Sequence, residues 1–354
     1  MGERVTQAFR RVFRGGDGLS GLMIQLAAIL IAFIVGAAVL AVTGYSPLEA
    51  YASMAAGAFG SSYGVGQTLT QATPIVFTSI AFLIGLKAGL FNIGIEGQFL
   101  MGAMGATLAG IYLGGLPWVV HVPLTILVGM MAGALWGLIP AVLKSRFDAH
   151  EVITTMMLSY VATHFTSYLV NYPFKAPGWV AQSVKISGTA QLPRILPPTQ
   201  LSAAIFVAVI VTAASTYFLQ KTVIGYELRA TGLNPSAAEN AGISIDRSIL
   251  VSMALSGAVA GLGGACEIMG IHRRFIQGFS PGYGWDGLAV ALVGGLNPVG
   301  SFFASVLFGA LRSGGMIMTR ATGVPLDIVN ILQALVIMFV AAPKLIRALL
   351  GRER

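Results

Sequence analysis

The sequence predicts an all-α, polytopic helical membrane protein, and three observations support that fold class. Hydrophobic residues make up 56% of the 354 residues and charged residues only 10%, whereas soluble domains carry about 25% charged residues. The mean hydropathy is +0.81. The apolar runs are long and do not alternate with polar residues, which favours membrane-spanning helices over a β-barrel. We therefore expect one transmembrane domain over residues 1–354.

About ten apolar segments are candidates for crossing or entering the membrane, including short or broken helices. The eighth is too short to span upright, so it is a candidate for a re-entrant segment. The segments cover residues 22–43, 68–87, 92–113, 118–143, 152–172, 200–219, 248–270, 285–296, 299–317 and 327–342.

The distribution of basic residues predicts the orientation. The first apolar run is too long for a cleaved signal peptide, so residues 1–21 are expected to be a retained cytoplasmic segment. With ten crossings, 14 Lys and Arg residues lie on the side of the two termini and 6 on the other, and Arg312 falls within a segment. Basic residues accumulate on the cytoplasmic side, so both termini are expected there.

Two connections between the segments are long. Residues 173–199 contain five prolines and are expected to form an irregular external loop. Residues 220–247 form the largest cytoplasmic loop. In it, Asn234 and Pro235 suit the start of a short helix, and Gly242 suits its end. A helix this short is not stable alone, so it packs either on its own bundle or on a partner protein.

The third segment carries a polar cluster in otherwise apolar surroundings. Its members, with the flanking aromatic residues, are Phe91, Asn92, Glu96, Gln98 and Phe99. In a helix, Asn92 and Glu96 would share one face. Intramembrane ionisable residues are usually functional, so one interpretation is that the cluster lines or supports a substrate pathway. The other is structural: Glu96 is neutral, or pairs with Lys87 or Arg312, and locks the bundle.

A second polar cluster, Trp285 and Asp286, opens the eighth segment. An acidic residue at a helix N-terminus is favoured by the helix dipole, which gives a structural explanation for Asp286. The alternative is an external gate or a contact with an external protein, which makes Trp285 and Asp286 candidates for the substrate pathway. The sequence leaves both interpretations open.

Two further patterns are interpreted as structural. Asp148 followed by Glu151 predicts a capping box at the start of the fifth segment. Glycines at four-residue spacing predict close helix packing in the fourth and seventh segments. They are Gly129, Gly133 and Gly137, and Gly257 and Gly261.

Motifs for catalysis and for ATP binding are absent from the sequence. It contains no G-x-x-x-x-G-K-[ST], H-E-x-x-H or G-x-S-x-G pattern. Cys266 is the single cysteine and the four histidines are scattered, so we predict no metal site. The net charge of +8 is carried at the ends of apolar runs, which argues for contact with membrane lipid and against nucleic-acid binding.

The cytoplasmic loop resembles the corresponding region of ABC-importer permeases of the branched-chain amino acid, ribose and nucleoside group. The run Ala237-Ala238-Glu239 before Gly242 is similar to a degenerate form of their ATPase-coupling motif, from which Asn240-Ala241 departs. The stretches FNIGIEGQFLMGA, HEVITTMMLSYVA and FSPGYGWDGLAVALVGGLNPVG resemble the nucleoside and simple-sugar branch. The resemblance extends from about Pro47 to Pro343.

The resemblance implies a transport subunit of the bacterial plasma (inner) membrane rather than an enzyme. It implies a second permease subunit, often a distinct homologue, and a cytoplasmic ATPase. The ATPase would bind ATP and Mg²⁺, and this chain itself is expected to need no cofactor. An external binding protein or lipoprotein would deliver the substrate. The residues expected at the ATPase are Arg229, Asn234, Pro235, Ala237, Ala238, Glu239 and Gly242.

The predicted function is therefore the membrane permease of an ATP-driven importer, with nucleosides as the expected substrate. Ribose-like simple sugars are the alternative substrate within the same family. A stand-alone transporter driven by an ion gradient is the alternative of another class, in which Glu96 or Asp286 would titrate during transport.

Overall fold

The computed structural model of the protein describes residues 19–342. These residues form thirteen α-helices, a 3₁₀ turn (Gly188–Ala190) and a π-helical turn (Ile268–His272), and no β-strand, which confirms the all-α prediction. The helices are α1 Leu19–Val42, α2 Pro47–Phe59, α3 Ser62–Lys87, α4 Ile95–Tyr112, α5 Trp118–Phe147, α6 Glu151–Asn171, α7 Ala204–Lys221, α8 Val223–Leu233, α9 Pro235–Asn240, α10 Ile245–Glu267, α11 Tyr283–Val293, α12 Pro298–Thr322 and α13 Asp327–Ala341.

Each of the ten predicted segments contains a helix. Six of these helices are long and apolar enough to cross a membrane, namely α1, α3, α5, α7, α10 and α12, the α10 span continuing through the π turn. The eighth segment is the 11-residue helix α11, as short as expected. The protein is therefore membrane-embedded. Most of residues 1–21, and the basic residues near both ends of the chain, lie outside the described residues.

Two helices were not expected from the sequence. Helix α2 begins at Pro47, and the side chain of its N-cap residue Ser46 accepts a hydrogen bond from the backbone N–H of Glu49. Helix α8 occupies 11 residues of the predicted cytoplasmic loop and starts after Thr222, its N-cap residue. That loop is therefore largely helical.

Residues 19–71 and 289–342 form one compact unit. Its core is a cluster of buried apolar side chains: Leu40, Ala50, Met54, Leu311, Met318, Val324, Val329 and Leu332. Gly57 lies against Ile317 and Gly314 against Met54, so α2 and α12 approach closely. The Tyr51 hydroxyl donates a hydrogen bond to the carbonyl of Phe33 at 2.8 Å, which ties α2 to α1.

Residues 72–288 form the second compact unit, which is built around α10. Helices α10 and α5 pack through glycines: a Cβ on Gly133 would lie 2.3 Å from the carbonyl oxygen of Gly257. A Cβ on Gly129 or Gly137 would likewise be within 2.7 Å of an atom of α10. The predicted close packing by small residues is confirmed, and it lets the two backbones meet without intervening side chains.

The predicted capping box at the start of α6 is wrong. Helix α5 continues to Phe147, so Asp148 is its C-cap residue, with a left-handed φ of 48°. The Asp148 carboxylate accepts a hydrogen bond from the Lys144 ammonium at 2.8 Å, and this contact lowers the pKa of Asp148. His150 occupies the N-cap position of α6 without a side-chain cap.

Candidate functional site

The polar cluster of the third segment lies at the start of α4. Residues 88–94, between α3 and α4, are not helical, and Asn92 is in this connection. The expectation that Asn92 and Glu96 share a helix face is therefore wrong, because only Glu96 is in the helix. The Asn92 side-chain oxygen instead accepts a hydrogen bond from the Gly94 N–H at 2.9 Å, which forms a turn just before α4.

Asn92 and Gln98 form a reciprocal amide pair. The Asn92 nitrogen donates to the Gln98 oxygen at 3.0 Å, and the Gln98 nitrogen donates to the Asn92 oxygen at 3.3 Å. Asn92 also donates to the Ser256 hydroxyl at 2.9 Å, which in turn donates to the Ala81 carbonyl at 2.7 Å. Asn92 is completely buried and Gln98 is 1% exposed. This amide network links α3, α4 and α10 in a region without access to water.

Glu96 connects the first polar cluster to the second. Its carboxylate accepts a hydrogen bond from the backbone N–H of Gly284 at 2.6 Å, at the start of α11. The first N–H groups of a helix have no partner within it, so Glu96 serves as a cap supplied by a distant element. A Cβ on Gly284 would lie 2.4 Å from the backbone nitrogen of Glu96, so only glycine fits at this contact.

Aromatic rings join the same region. Phe99 is fully buried, and its ring lies 5.9 Å from that of Tyr283 and 6.0 Å from that of Phe279. Phe279 also contacts His272 edge-on at 5.2 Å. Phe91 packs elsewhere, edge-on to Phe82 at 5.2 Å. The structure therefore brings Phe99 next to the second cluster, whereas Phe91, in the connection between α3 and α4, packs against α3.

Trp285 and Asp286 both lie in the first turn of α11, as expected. The Asp286 backbone N–H donates to the Gly282 carbonyl at 3.1 Å, and its side chain is half-buried. Trp285 is the most exposed member of the two clusters, at 39%. It is the aromatic side chain of the site that remains open to contact.

Several residues of this region were not identified from the sequence. The hydroxyls of Thr155 and Ser159 on α6 accept hydrogen bonds from the N–H groups of Ile93 and Gly97, at 3.2 and 3.3 Å. Glu267, 4% exposed, lies 3.5 Å from His272. Glu267 could have been found by the signal that selected Glu96, a carboxylate in an apolar run. Serine and threonine carry no such signal, because in membrane helices they commonly bond to their own backbone.

The predicted ATPase-coupling residues lie on α8 and α9 or directly beside these helices. Asn234 is the residue between the two helices, and its side-chain oxygen accepts a hydrogen bond from the Ala237 N–H at 3.2 Å. Pro235 is the first residue of α9. After the helix ends, Gly242 has a φ of 84°, and its N–H donates a hydrogen bond to the Glu239 carbonyl at 2.9 Å. The predicted start and end of this helix are confirmed.

Helix α9 is exposed on most of its surface. Pro235, Ala237 and Glu239 are exposed, whereas Ala238 is buried. Arg229 is half-buried on α8, where its Nε donates to the Gly225 carbonyl at 3.4 Å. The coupling residues thus divide into an outward-facing set and the inward-facing Ala238.

Comparison with known families and proteins identifies the class of the chain. Residues 64–341 match the family model described as branched-chain amino acid transport system / permease component. The guanosine ABC transporter permease protein NupP of Bacillus subtilis is 38% identical over 94% of this chain and 97% of its own length. The nucleoside permease protein NupB of Lactococcus lactis is 34% identical over 94% of each chain.

A relative named for another substrate is nearly as similar. The glucose ABC transporter permease protein TsgB13 of Haloferax volcanii is 37% identical over 88% of this chain and 84% of its own length. A second permease from each of the two bacteria also matches, NupQ of B. subtilis at 28% and NupC of L. lactis at 30% identity. No solved structure matches.

The matched relatives are ABC transporter permeases, which are transport components and not enzymes. The apolar spans agree with that class. The chain therefore belongs to the family of branched-chain amino acid transport system permease components of ABC transporters.

Proposed function

We propose that this chain is a permease subunit of an ATP-driven importer for nucleosides. The observation that carries the proposal is the similarity to NupP and NupB, which are named for guanosine and for nucleosides and align over 94% of the chain. Simple sugars are the second candidate substrate class, because TsgB13 is named for glucose at 37% identity.

The importer is proposed to contain a second, homologous permease subunit. B. subtilis and L. lactis each provide two similar permeases with paired names, NupP with NupQ and NupB with NupC. We therefore favour a heterodimer over pairing with a second copy of this chain. The same assembly would contain a cytoplasmic ATPase, which binds ATP and Mg²⁺, and an external binding protein or lipoprotein that delivers the substrate.

The ATPase is proposed to dock on α8 and α9. The exposed surface there includes three large apolar side chains, which would face water if no partner protein covered them. They are Val223, Tyr226 and Leu233, which are 73%, 61% and 67% exposed. Their spacing places them along one side of α8. Glu239 and the outer face of α9 continue this surface. Exposed apolar patches of this kind commonly mark protein–protein contacts.

The two polar clusters are proposed to support the substrate pathway. Asn92, Glu96 and Gln98 are buried and bonded to other protein groups, which suits side chains that hold the wall of a pathway in place. Trp285 and Asp286 are more accessible and suit direct contact with the substrate or with a gate. A nucleobase can stack on an exposed indole ring.

The chain is proposed to lie in the plasma membrane with both termini and α9 in the cytoplasm. The supporting observation is the excess of basic residues, 14 against 6, on that side.

Uptake of labelled inosine tests the proposed substrate. We would compare cells with and without this chain, with unlabelled nucleosides, ribose, glucose and free bases in excess as competitors. Uptake that requires the chain and is reduced only by nucleosides is expected. If inosine uptake is unchanged without the chain while ribose or glucose uptake is lost, the nucleoside assignment is wrong and the sugar assignment holds. Uptake of an unrelated amino acid controls for general damage to the membrane.

A further inference from the structure

A backbone contact connects the proposed ATPase-docking helices to the amide network. Helices α8 and α9 are joined by the single residue Asn234, which is both the C-cap of α8 and the N-cap of α9. Its backbone is extended and its side chain is bonded to α9. With so short a joint, α9 has little freedom to move independently of α8.

Near its end, α8 lies against the connection between α3 and α4. A Cβ on Gly232 would lie 2.2 Å from the carbonyl oxygen of Lys87 and 2.9 Å from the backbone nitrogen of Gly89. The backbones of α8 and of this connection therefore touch with no side chain between them. Such a contact has no rotamers to absorb a displacement, so it transmits movement more directly than a contact between flexible side chains.

The connection is itself tightly held at this point. Gly89 has a φ of 82°, and the N–H groups of Gly89 and Leu90 donate to the carbonyls of Leu86 and Gly85 at 3.0 Å each. This is the hydrogen-bond pattern of a Schellman motif, which fixes the end of α3. Asn92 follows Gly89 by three residues and bonds to α10 through Ser256. A displacement of Gly89 is therefore expected to move Asn92, because only two residues of a tightly hydrogen-bonded connection separate them.

A second contact holds α8 against α10. The Thr231 hydroxyl donates to the Ser248 hydroxyl of α10 at 3.1 Å, and both residues are buried. Leu228, one turn earlier, is 1% exposed. Helix α8 is thus seated on α10 by one face while Gly232 touches the α3–α4 connection.

We infer that Gly232 is a positioning residue for transport, which passes movement of α8 and α9 through Gly89 to the Asn92 network. The inference rests on the proposed docking of the ATPase at α9. When α9 moves, α8 moves with it, and the Gly232 contact displaces the connection that carries Asn92. Asn92 and Gln98 then shift at the start of α4, where Glu96 caps α11.

The test is Gly232→Ala in the complete transporter, reconstituted in vesicles with its partner subunits and binding protein. The added methyl group meets the Lys87 carbonyl and separates α8 from the connection. We expect substrate transported per ATP hydrolysed to fall about two- to thirtyfold, the range in which changes within a coupling network act. Overpacking at this contact is expected to lower the yield of assembled transporter, as at other close backbone contacts. The ratio is measured per ATP hydrolysed by the assembled complex, so a loss of yield alone leaves it unchanged.

Gly188→Ala is the matched control, because a Cβ there meets no atom within 4 Å. It should leave the transport-to-ATP ratio unchanged. Replacing Pro235 to Glu239 with a flexible Gly-Ser linker tests the underlying docking proposal separately. If the linker uncouples transport while Gly232→Ala does not, the inference is wrong and the docking proposal stands. If the linker has no effect, the docking proposal fails and this inference fails with it.

A Gly232→Ala subunit that does not assemble would leave Thr231→Val as the deciding variant. It keeps the shape of the side chain but removes the bond to Ser248, which loosens the seat of α8 on α10. A lowered transport-to-ATP ratio with normal assembly supports the inference, and a wild-type ratio overturns it.

Discussion

The carboxylate of Glu96 holds the N–H of Gly284 at 2.6 Å and so connects two helix starts that are 188 residues apart in the sequence. Glu96 lies in the first turn of α4 and Gly284 in the first turn of α11. Both clusters singled out in the sequence are therefore parts of one region. A displacement of one helix start is therefore expected to displace the other, because the hydrogen bond between them is short, buried and accepted by a carboxylate.

Glu96→Ala is expected to destabilise the protein by about 1–3 kcal/mol, because the buried N–H of Gly284 loses an acceptor. The apparent melting temperature of the purified protein in detergent would measure this. Glu96→Gln keeps an acceptor oxygen and should lose less stability. Glu239→Ala, which removes an exposed carboxylate of α9, is the control. Wild-type melting of Glu96→Ala would contradict the capping role, and wild-type yield and transport of Glu96→Gln would show that the charge is not needed.

The amide pair of Asn92 and Gln98 should behave as a unit. Removing either side chain leaves the other amide buried with fewer partners, whereas removing both eliminates the reciprocal bonds at once. A double-mutant cycle with Asn92→Ala and Gln98→Ala should therefore give an interaction energy of about 0.5–3 kcal/mol in thermal or denaturant unfolding. Strictly additive losses would show that the reciprocal bonds contribute nothing to stability.

Features set by near neighbours could be predicted from the sequence. Asn234, Pro235 and Gly242 define α9 through contacts that reach no more than three residues, and all three were found. The same kind of signal was present at α2 but was overlooked, since Ser46 with Glu49 three residues later is a capping-box pattern.

Features set by where a helix ends were harder to predict. A capping box at Asp148 required α5 to stop earlier, yet the helix runs to Phe147 and makes Asp148 its C-cap. Likewise, the prediction that Asn92 shares a helix face with Glu96 required α4 to begin at Asn92 or earlier. The helix begins at Ile95, and residues 88–94 are not helical. The bond from Glu96 to Gly284 could not be predicted, because no local pattern contains both residues.

Gly133→Ala is expected to damage the packing of α5 on α10. The new methyl carbon would lie 2.3 Å from the carbonyl oxygen of Gly257, so the two helices must move apart. Overpacking of this kind costs about 1–3 kcal/mol, and it should lower both the yield of folded protein in the membrane and its melting temperature. Gly188→Ala, with open space around the new carbon, should change neither. Equal behaviour of the two variants would contradict the close packing of α5 and α10.

Asn234→Ala should weaken α9 without unfolding the protein. The substitution removes the acceptor for the Ala237 N–H, which is worth about 1 kcal/mol at a helix N-cap. Because α9 has only six residues, the loss of its cap is large relative to its own stability. We expect weaker co-purification of the ATPase and slower transport, with unchanged abundance of the permease in the membrane. Asn234→Ser restores a capping side chain and should recover most of the activity. If serine fails where alanine fails, the side chain acts by contacting the ATPase directly and not by capping α9.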